Sequence, residues 1–509
     1  SVYVGRTSAL HGTTPDISEV RLGFKLKALS SRDVTGIMRY SVIAARPLTR
    51  HVLAPALDIL RGTHAMRSFL ELEETQWWPR ERIDRLQSER LQRLVHHAYE
   101  RVPYYRAVME ELGVRPESIS TPADLSLLPV LTKADVRAHS SHLLARGFPH
   151  KELLLGQTGG STGTPLTFYS SRQARWSNGT GRSLRALTWA GVYPGDSTVI
   201  IAKRHRPGPV RTPPFHRIVG LVTGETLEDC TTLSDATLPG VVQRLARQRP
   251  RALRGYASAM CIIADFIRES GMPVPETGAI VVGGEQLFDE QRALLREVFE
   301  LEPFSKYSSF ENYDIAMECE SHSGMHVAAE DLIVEIVDDE GHPVPPGTEG
   351  RLLVTNLHEY GMPLTRYDTD DQSSFATGSC ECGRSLPRLR AVTGKTGNTI
   401  YTASGRRISP LALSSSSLAG LDIRQFQFVQ EQLDRVTVKI VPETDLDRDT
   451  RACLCKTIEA HYRSILGDEM RVDVVIVGGI EPTPAGKHLF LISKVKRPHP
   501  MEPGTVHSH

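Results

Sequence analysis

Gln157-Thr158-Gly159-Gly160-Ser161-Thr162-Gly163-Thr164-Pro165 lies just after the apolar run 153–155 and sets three glycines among four hydroxyl residues. Glycines let a backbone come close to an anion and turn its N–H groups toward it, while hydroxyls add donors for phosphate oxygens. The composition suits a polyphosphate. The Gly-Lys-Ser ending of the nucleotide-binding P-loop is missing, which disfavours a kinase or motor. Taken alone, the segment is equally compatible with a flexible polar turn.

Upstream of this loop, Leu86, Leu91, Leu94, Val95 and Ala98 recur at helical spacing and Pro103 closes the run, so the N-terminal part reads as helical. Downstream, β-branched runs at 198–201 and 280–282 alternate with helix-like segments such as 241–247, the pattern of a largely parallel α/β sheet. The runs 332–337 and 351–355 flank a Pro-rich stretch and predict a β-hairpin with a long loop. Gly394, Gly397 and Gly405 punctuate the chain before a last segment whose strands (436–441, 472–477, 489–492) surround one helix. The expected fold class is α/β, with a large N-terminal domain and a small α+β C-terminal domain. Its divisions are a helical N-terminal region over 1–145, a binding core over 146–394 and a mobile C-terminal domain over 395–509. Ser414 to Ser417 reads as a loop.

A chain of 509 residues is long enough for more than one core. Lys plus Arg and Asp plus Glu both total 60, a balance that gives no reason to expect nucleic acid as the partner. No apolar run approaches the roughly 18 residues of a membrane span, so no transmembrane segment is expected. The first fifty residues carry Arg21, Lys25, Lys27, Arg32, Arg39, Arg46 and Arg50, either a solvated basic face or a contact for a membrane surface or partner. Seven cysteines, an odd number with no signal peptide before them, fit a reducing cytoplasm better than a disulfide framework.

Further segments carry chemistry. Gly283-Gly284-Glu285 follows the strand ending at Val282, where open α/β sheets bind ligands. Beyond it come Tyr307-Ser308-Ser309-Phe310-Glu311, Arg366-Tyr367-Asp368-Thr369-Asp370-Asp371, Gly394-Lys395, and Pro482-Thr483-Pro484-Ala485-Gly486-Lys487. In this order, and with the glycine loop before them, they resemble the motifs of adenylate-forming enzymes, the superfamily of acyl-CoA synthetases and luciferase. Arg101-Val102-Pro103-Tyr104-Tyr105-Arg106 and Leu128-Pro129-Val130-Leu131-Thr132-Lys133 look most like the phenylacetate-CoA ligase family and its relatives linked to capsular polysaccharide synthesis (CapK-like).

The resemblance, which runs from about Leu86 to Lys494, implies roles. Thr158, Gly159, Gly160, Ser161, Thr162, Gly163 and Thr164 would hold the phosphates of ATP. Gly283, Gly284 and Glu285 would contact adenine, Tyr307 would stack near it, and Glu311 would bind Mg²⁺, a hard cation that takes oxygen ligands. Asp371 would accept from the ribose hydroxyls. Lys487 would be the catalytic cation between the carboxylate and the α-phosphate. Three departures stand out. Ser308 replaces the family's glycine, Phe310 its hydroxyl residue, and Lys395 its hinge arginine, keeping the charge without the planar fork.

Cys380-Glu381-Cys382 places two thiols in a Gly-flanked loop, with Cys319 and His326 upstream. Zn²⁺ in a structural site takes four sulfur or nitrogen ligands, so Cys319, His326, Cys380 and Cys382 form a candidate set, with His322 as the alternative imidazole. Some relatives resemble this chain in carrying a zinc here. The expected role is to pin the segment of Glu311 to that of Asp371. Cys453 and Cys455 point to different faces of a helix and are not expected to be ligands.

The resemblance implies that a small carboxylic acid, aryl or other, is activated with ATP to an acyl-adenylate, with coenzyme A as the acceptor. Two alternatives stay open at this point: transfer to an amine or a carrier-protein thiol, and a nucleotide-binding scaffold without catalysis.

Overall fold

The structure, a computed structural model, describes residues 49–157, 166–203, 220, 222–234, 236–392, 400–404, 407–408, 413, 423–442, 444, 446–480 and 491–495. Thr158 to Thr164, the hinge glycines Gly394 and Gly397 with Lys395, Ser414 to Ser417, Lys487 and the basic residues from Arg21 to Arg46 lie outside the described residues.

Apolar stripes at helical spacing build the first elements, α1 (Ala54–Arg61), α2 (Ala65–Thr75), α3 (Arg80–Arg101), α4 (Pro103–Leu112) and α5 (Lys133–Ala138). On α3 the buried face includes Leu91, Leu94, Val95 and Ala98, the stripe read from the sequence. Pro103 ends α3 and also starts α4. It forces Val102 into an extended conformation and then occupies the first turn of the next helix, where its missing N–H costs nothing. A capping box opens α5: Asp135 N donates to Thr132 Oγ1 at 3.2 Å and Thr132 N donates to Asp135 Oδ2 at 2.9 Å. No helix among the described residues is long and apolar enough to cross a membrane.

The antiparallel strands β1 (Leu153–Gln157) and β2 (Thr167–Ser171) flank the glycine loop. Gly156 faces Phe168 across this hairpin, and a Cβ on Gly156 would lie 2.4 Å from Phe168 Cζ. The ring is buried and lies in a core with Leu131, Leu166, Met362 and Tyr367. Gly156→Ala must therefore push Phe168 out of place, and a destabilisation of about 1–3 kcal/mol is expected, read as a lowered midpoint of thermal or denaturant unfolding.

After α6 (Thr180–Trp189), the chain alternates β3 (Thr198–Ala202), β4 (Glu225–Asp229), α7 (Leu238–Gln248), β5 (Ala252–Gly255), α8 (Ala257–Ser270), β6 (Ala279–Gly283), α9 (Asp289–Phe299) and β7 (Phe304–Ser309). Then come β8 (Tyr313–Glu318) and β9 (Met325–Val327), followed by β10 (Leu332–Val337), β11 (Gly350–Asn356) and β12 (Tyr367–Ser373), an antiparallel sheet of their own, and finally β13 (Arg388–Leu389). The main sheet has the order β13-β9-β8-β7-β6-β5-β3-β4.

The expected parallel sheet is thus five strands of a mixed eight-stranded one. β4, β3, β5, β6 and β7 are parallel, whereas β8, β9 and β13 add on antiparallel. The helices α7, α8 and α9 join β4 to β5, β5 to β6 and β6 to β7 as crossovers, and the turn from β7 to β8 is too short for anything but an antiparallel return. Residues alternate between two cores: Ile280 and Val282 face α7, α8 and α9, while Ala279 and Val281 face the side of α6.

At the C-terminal end, β14 (Ile400–Tyr401) pairs with β15 (Arg407–Ile408). β16 (Ile423–Gln432), β17 (Arg435–Pro442), β18 (Arg471–Ile476) and β19 (Leu491–Ser493) form a sheet of order β18-β17-β16-β19, against which α10 (Arg448–Leu466) packs Ile458, Tyr462 and Leu466. This is the small α+β domain. Cys453 and Cys455 lie on α10 and outside the metal-ligand cluster.

Candidate functional site

Two sheets meet where the carboxyl end of β7 approaches β12. Tyr307, near the end of β7, donates its hydroxyl to Asp371 Oδ2 on β12 at 2.8 Å. Tyr367, at the start of β12, donates to Glu311 Oε1 at 2.6 Å. The two tyrosines therefore tie the sheets together and orient the two carboxylates named from the sequence. Burial, reinforced by Asp371, raises the pKa of Tyr307, and burial with Glu311 raises that of Tyr367, so both hydroxyls keep their protons and act as donors. Glu311 occupies the turn between β7 and β8, and its neighbour Phe310 is 41% exposed.

A cation that the sequence reading left without a role completes the cluster. Leu131 bridges to Tyr367 in parallel, through Leu131 N to Arg366 O at 3.1 Å and Asp368 N to Leu131 O at 2.9 Å. This registers the start of α5 against β12. Lys133 Nζ consequently donates to Thr369 O at 2.9 Å and to Asp370 Oδ2 at 2.6 Å. Burial works against its charge, but Asp370, then Glu311 and Asp371, outweigh that and hold its pKa above the usual lysine value. The signal in the sequence was the capping box, which fixes residue 133 as the first of a helix.

Glu285 has a structural partner in its own surroundings. Its carboxylate accepts from Ser258 N at 2.8 Å and Ser258 Oγ at 3.1 Å, and so caps the first turn of α8. Burial raises its pKa against these bonds. Gly284 has φ 78° and lies against the Tyr256 ring, 2.7 Å from a Cβ at that position, a placement only glycine takes without strain. The Glu285 side chain thus holds the start of α8, and Gly283 and Gly284 leave the backbone of this turn open to close approach.

Cys319, His326, Cys380 and Cys382 bring their ligand atoms within 4.8 Å of one another. Cys319 Sγ lies 3.6 Å from Cys380 Sγ, and Cys382 Sγ lies 3.3 Å from His326 Nε2. A tetrahedral zinc with Zn–S bonds of about 2.3 Å has S···S edges of about 3.8 Å, so the donor set fits that ion. His326 Nδ1 lies 3.1 Å from Leu386 O, which can only accept, so the proton is on Nδ1 and Nε2 is left to ligate. Burial lowers the His326 pKa to about 4, which keeps the ring neutral. His322 is not in the cluster: its Nδ1 lies 3.1 Å from Glu318 Oε2 and its ring packs at a tilt against Phe304.

The position of the cluster corrects one expectation. Cys319 follows the far end of β8, whereas Glu311 precedes its start, so the six-residue strand separates them by roughly 20 Å. The cluster fastens the end of β8 and β9 to the 380–382 loop, at the end of β8 away from Glu311. Arg388 holds that loop as well, donating to Gly378 O at 3.0 Å and to Ser323 Oγ at 2.7 Å.

Comparison with known proteins bears on this arrangement. Residues 400–494 match the family model described as the CapK C-terminal domain. A phenylacetate-coenzyme A ligase of Thermus thermophilus is 29% identical over 357 residues, covering 68% of this chain and 77% of that protein. Protein CapK of Staphylococcus aureus is 22% identical over 81% of this chain and 89% of its own length. Over most of its length the chain is similar to phenylacetate-coenzyme A ligases and to Protein CapK. The fold is shared with a solved structure: a 2-hydroxyisobutyryl-CoA ligase in complex with 2-HIB-AMP and CoA superposes with a TM-score of 0.59 at 20% identity, over 83% of this chain and 92% of that one.

Proposed function

We propose that this ligase joins a small carboxylic acid to the α-phosphate of ATP and then hands the acyl group to the thiol of coenzyme A. The observation that supports the reading is the pair of hydroxyl-to-carboxylate bonds, Tyr307 to Asp371 and Tyr367 to Glu311, which holds the two carboxylates we read as ribose acceptor and metal ligand near the carboxyl end of β7. In the first step an oxygen of the substrate carboxylate bonds to the α-phosphorus, and the bond to the bridging oxygen breaks to release pyrophosphate. In the second step the thiolate attacks the acyl carbon and AMP leaves.

Glu311 offers the hard oxygen donor that Mg²⁺ requires, and that ion, when bound, neutralises charge on the phosphates. Asp371 accepts from the ribose hydroxyls and orients the nucleoside. Lys133 balances the cluster of Asp370, Asp371 and Glu311 and keeps a positive charge at the phosphate side. Thr158 to Thr164 cradle the phosphates through backbone N–H and hydroxyl donors. Lys487 approaches the carboxylate and α-phosphate as negative charge builds between them. The C-terminal domain then turns about the 394–397 segment to admit the thiol. Cys319, His326, Cys380 and Cys382 hold a zinc, which contributes a cross-link and no chemistry.

Product analysis tests the acceptor. With ATP, magnesium and an accepted acid, addition of coenzyme A is expected to yield an acyl-CoA mass. An amide, or an acylated carrier protein in place of the thioester, overturns that half of the proposal.

A further inference from the structure

The turn that carries Glu311 ends on a backbone outlier. Tyr313 has φ 60°, in the left-handed region that a bulky side chain adopts only under compulsion. The end of a short hairpin loop ordinarily takes glycine in that conformation. Strain of this kind persists where the surroundings impose it, and it concentrates at functional sites.

What the side chain does there is specific. Tyr313 donates its hydroxyl to Ser170 Oγ at 3.1 Å, and Ser170 Oγ donates to Glu359 Oε2 at 2.9 Å. Glu359 also accepts from Ser171 N at 2.9 Å and, through Oε1, from Gly361 N at 2.9 Å. Ser170, Ser171 and Glu359 are all buried. The ring of Tyr313 lies against Gly179, where a Cβ would come within 2.9 Å of its Cδ2. Arg182 grips the same turn from the other side, donating to Asn312 O at 2.7 Å and Asp314 O at 3.1 Å. Ser170 and Ser171 close β2, the strand that returns from the phosphate loop, while Tyr313 opens β8, two residues after Glu311.

We propose that Tyr313, Ser170 and Glu359 form a link that fixes the turn of Glu311 against the phosphate-loop hairpin, with Tyr313 as the positioning residue. The inference rests on the nucleotide-site reading above. MgATP engages both ends of the link, so a loosened link weakens nucleotide binding before it affects the chemical step.

The test uses the full chain with Tyr313→Phe, Ser170→Ala and the double variant. Tyr313→Phe keeps the ring and removes only the hydroxyl. The KM for MgATP in acid-dependent pyrophosphate release and the calorimetric Kd for MgATP are expected to rise about three- to tenfold in each single variant. kcat stays within about twofold, and the double variant is no worse than the singles, because both cut one connection. Unchanged KM and Kd in the single variants, or effects that multiply in the double, overturn the link. Failure of the wild type to bind MgATP overturns it together with the site reading. Binding without adenylate formation contradicts only the proposed reaction, and Kd then decides the link.

Discussion

Glu311→Gln is expected to lower acid-dependent pyrophosphate release by about 10²–10³-fold, the usual effect of removing one preorganised charge-stabilising group. The substitution keeps the shape of the side chain, and Gln Oε1 can still accept from the Tyr367 hydroxyl, which in the wild type lies 2.6 Å from Glu311 Oε1. Packing between β7 and β12 therefore stays intact, and the melting temperature should move little. What is lost is the negative charge that a hard cation requires of its ligand. The magnesium concentration needed for half-maximal rate should rise as kcat falls. Full activity with unchanged magnesium dependence would remove Glu311 from the site.

The second large effect concerns the sulfur cluster. Purified protein is expected to carry about one zinc per chain by elemental analysis. Cys382→Ser should abolish that zinc and lower stability by about 4–5 kcal/mol or more, the range that marks loss of a metal rather than an ordinary substitution. The physical reason is local: Cys319, His326 and Cys380 are buried, and without the ion the ligand atoms that face one another lose the one partner that all of them share. His322→Ala should leave the zinc content unchanged, since that ring faces Glu318. A metal-free wild type, or zinc retained by Cys382→Ser, contradicts the assignment.

Much of this architecture was legible in the residues. The stripe of Leu91, Leu94, Val95 and Ala98, the runs at 198–201 and 280–282, and, among the described residues, the strands at 436–441, 472–476 and 491–492 around one helix fall in elements of the expected type. Local period and β-branching decide such elements, and both are properties of short windows. The antiparallel part of the main sheet was not legible, because strand direction depends on how the 3-residue turn after Ser309 brings β8 back, which no window of composition reveals.

The site divides in the same way. Tyr307, Glu311 and Asp371 stand in motifs, and the structure brings them together. Lys133 needed the bridge between Leu131 and Tyr367, a contact across more than two hundred residues. The occupation of Glu285 by Ser258, the choice of His326 over His322 and the distance of the cysteine cluster from Glu311 are likewise facts of three-dimensional packing. Tyr313 shows the limit most clearly: a tyrosine in a strand gives no sign of a left-handed backbone until its partners are in place.

The central claim is adenylate formation, and acid-dependent release of pyrophosphate from MgATP tests it most directly, screened over aryl, aliphatic and amino acids. At least one acid should give release that requires both ATP and magnesium and that disappears in Glu311→Gln. Release with no acid in the whole panel, or release that Glu311→Gln leaves at the wild-type rate, would contradict it.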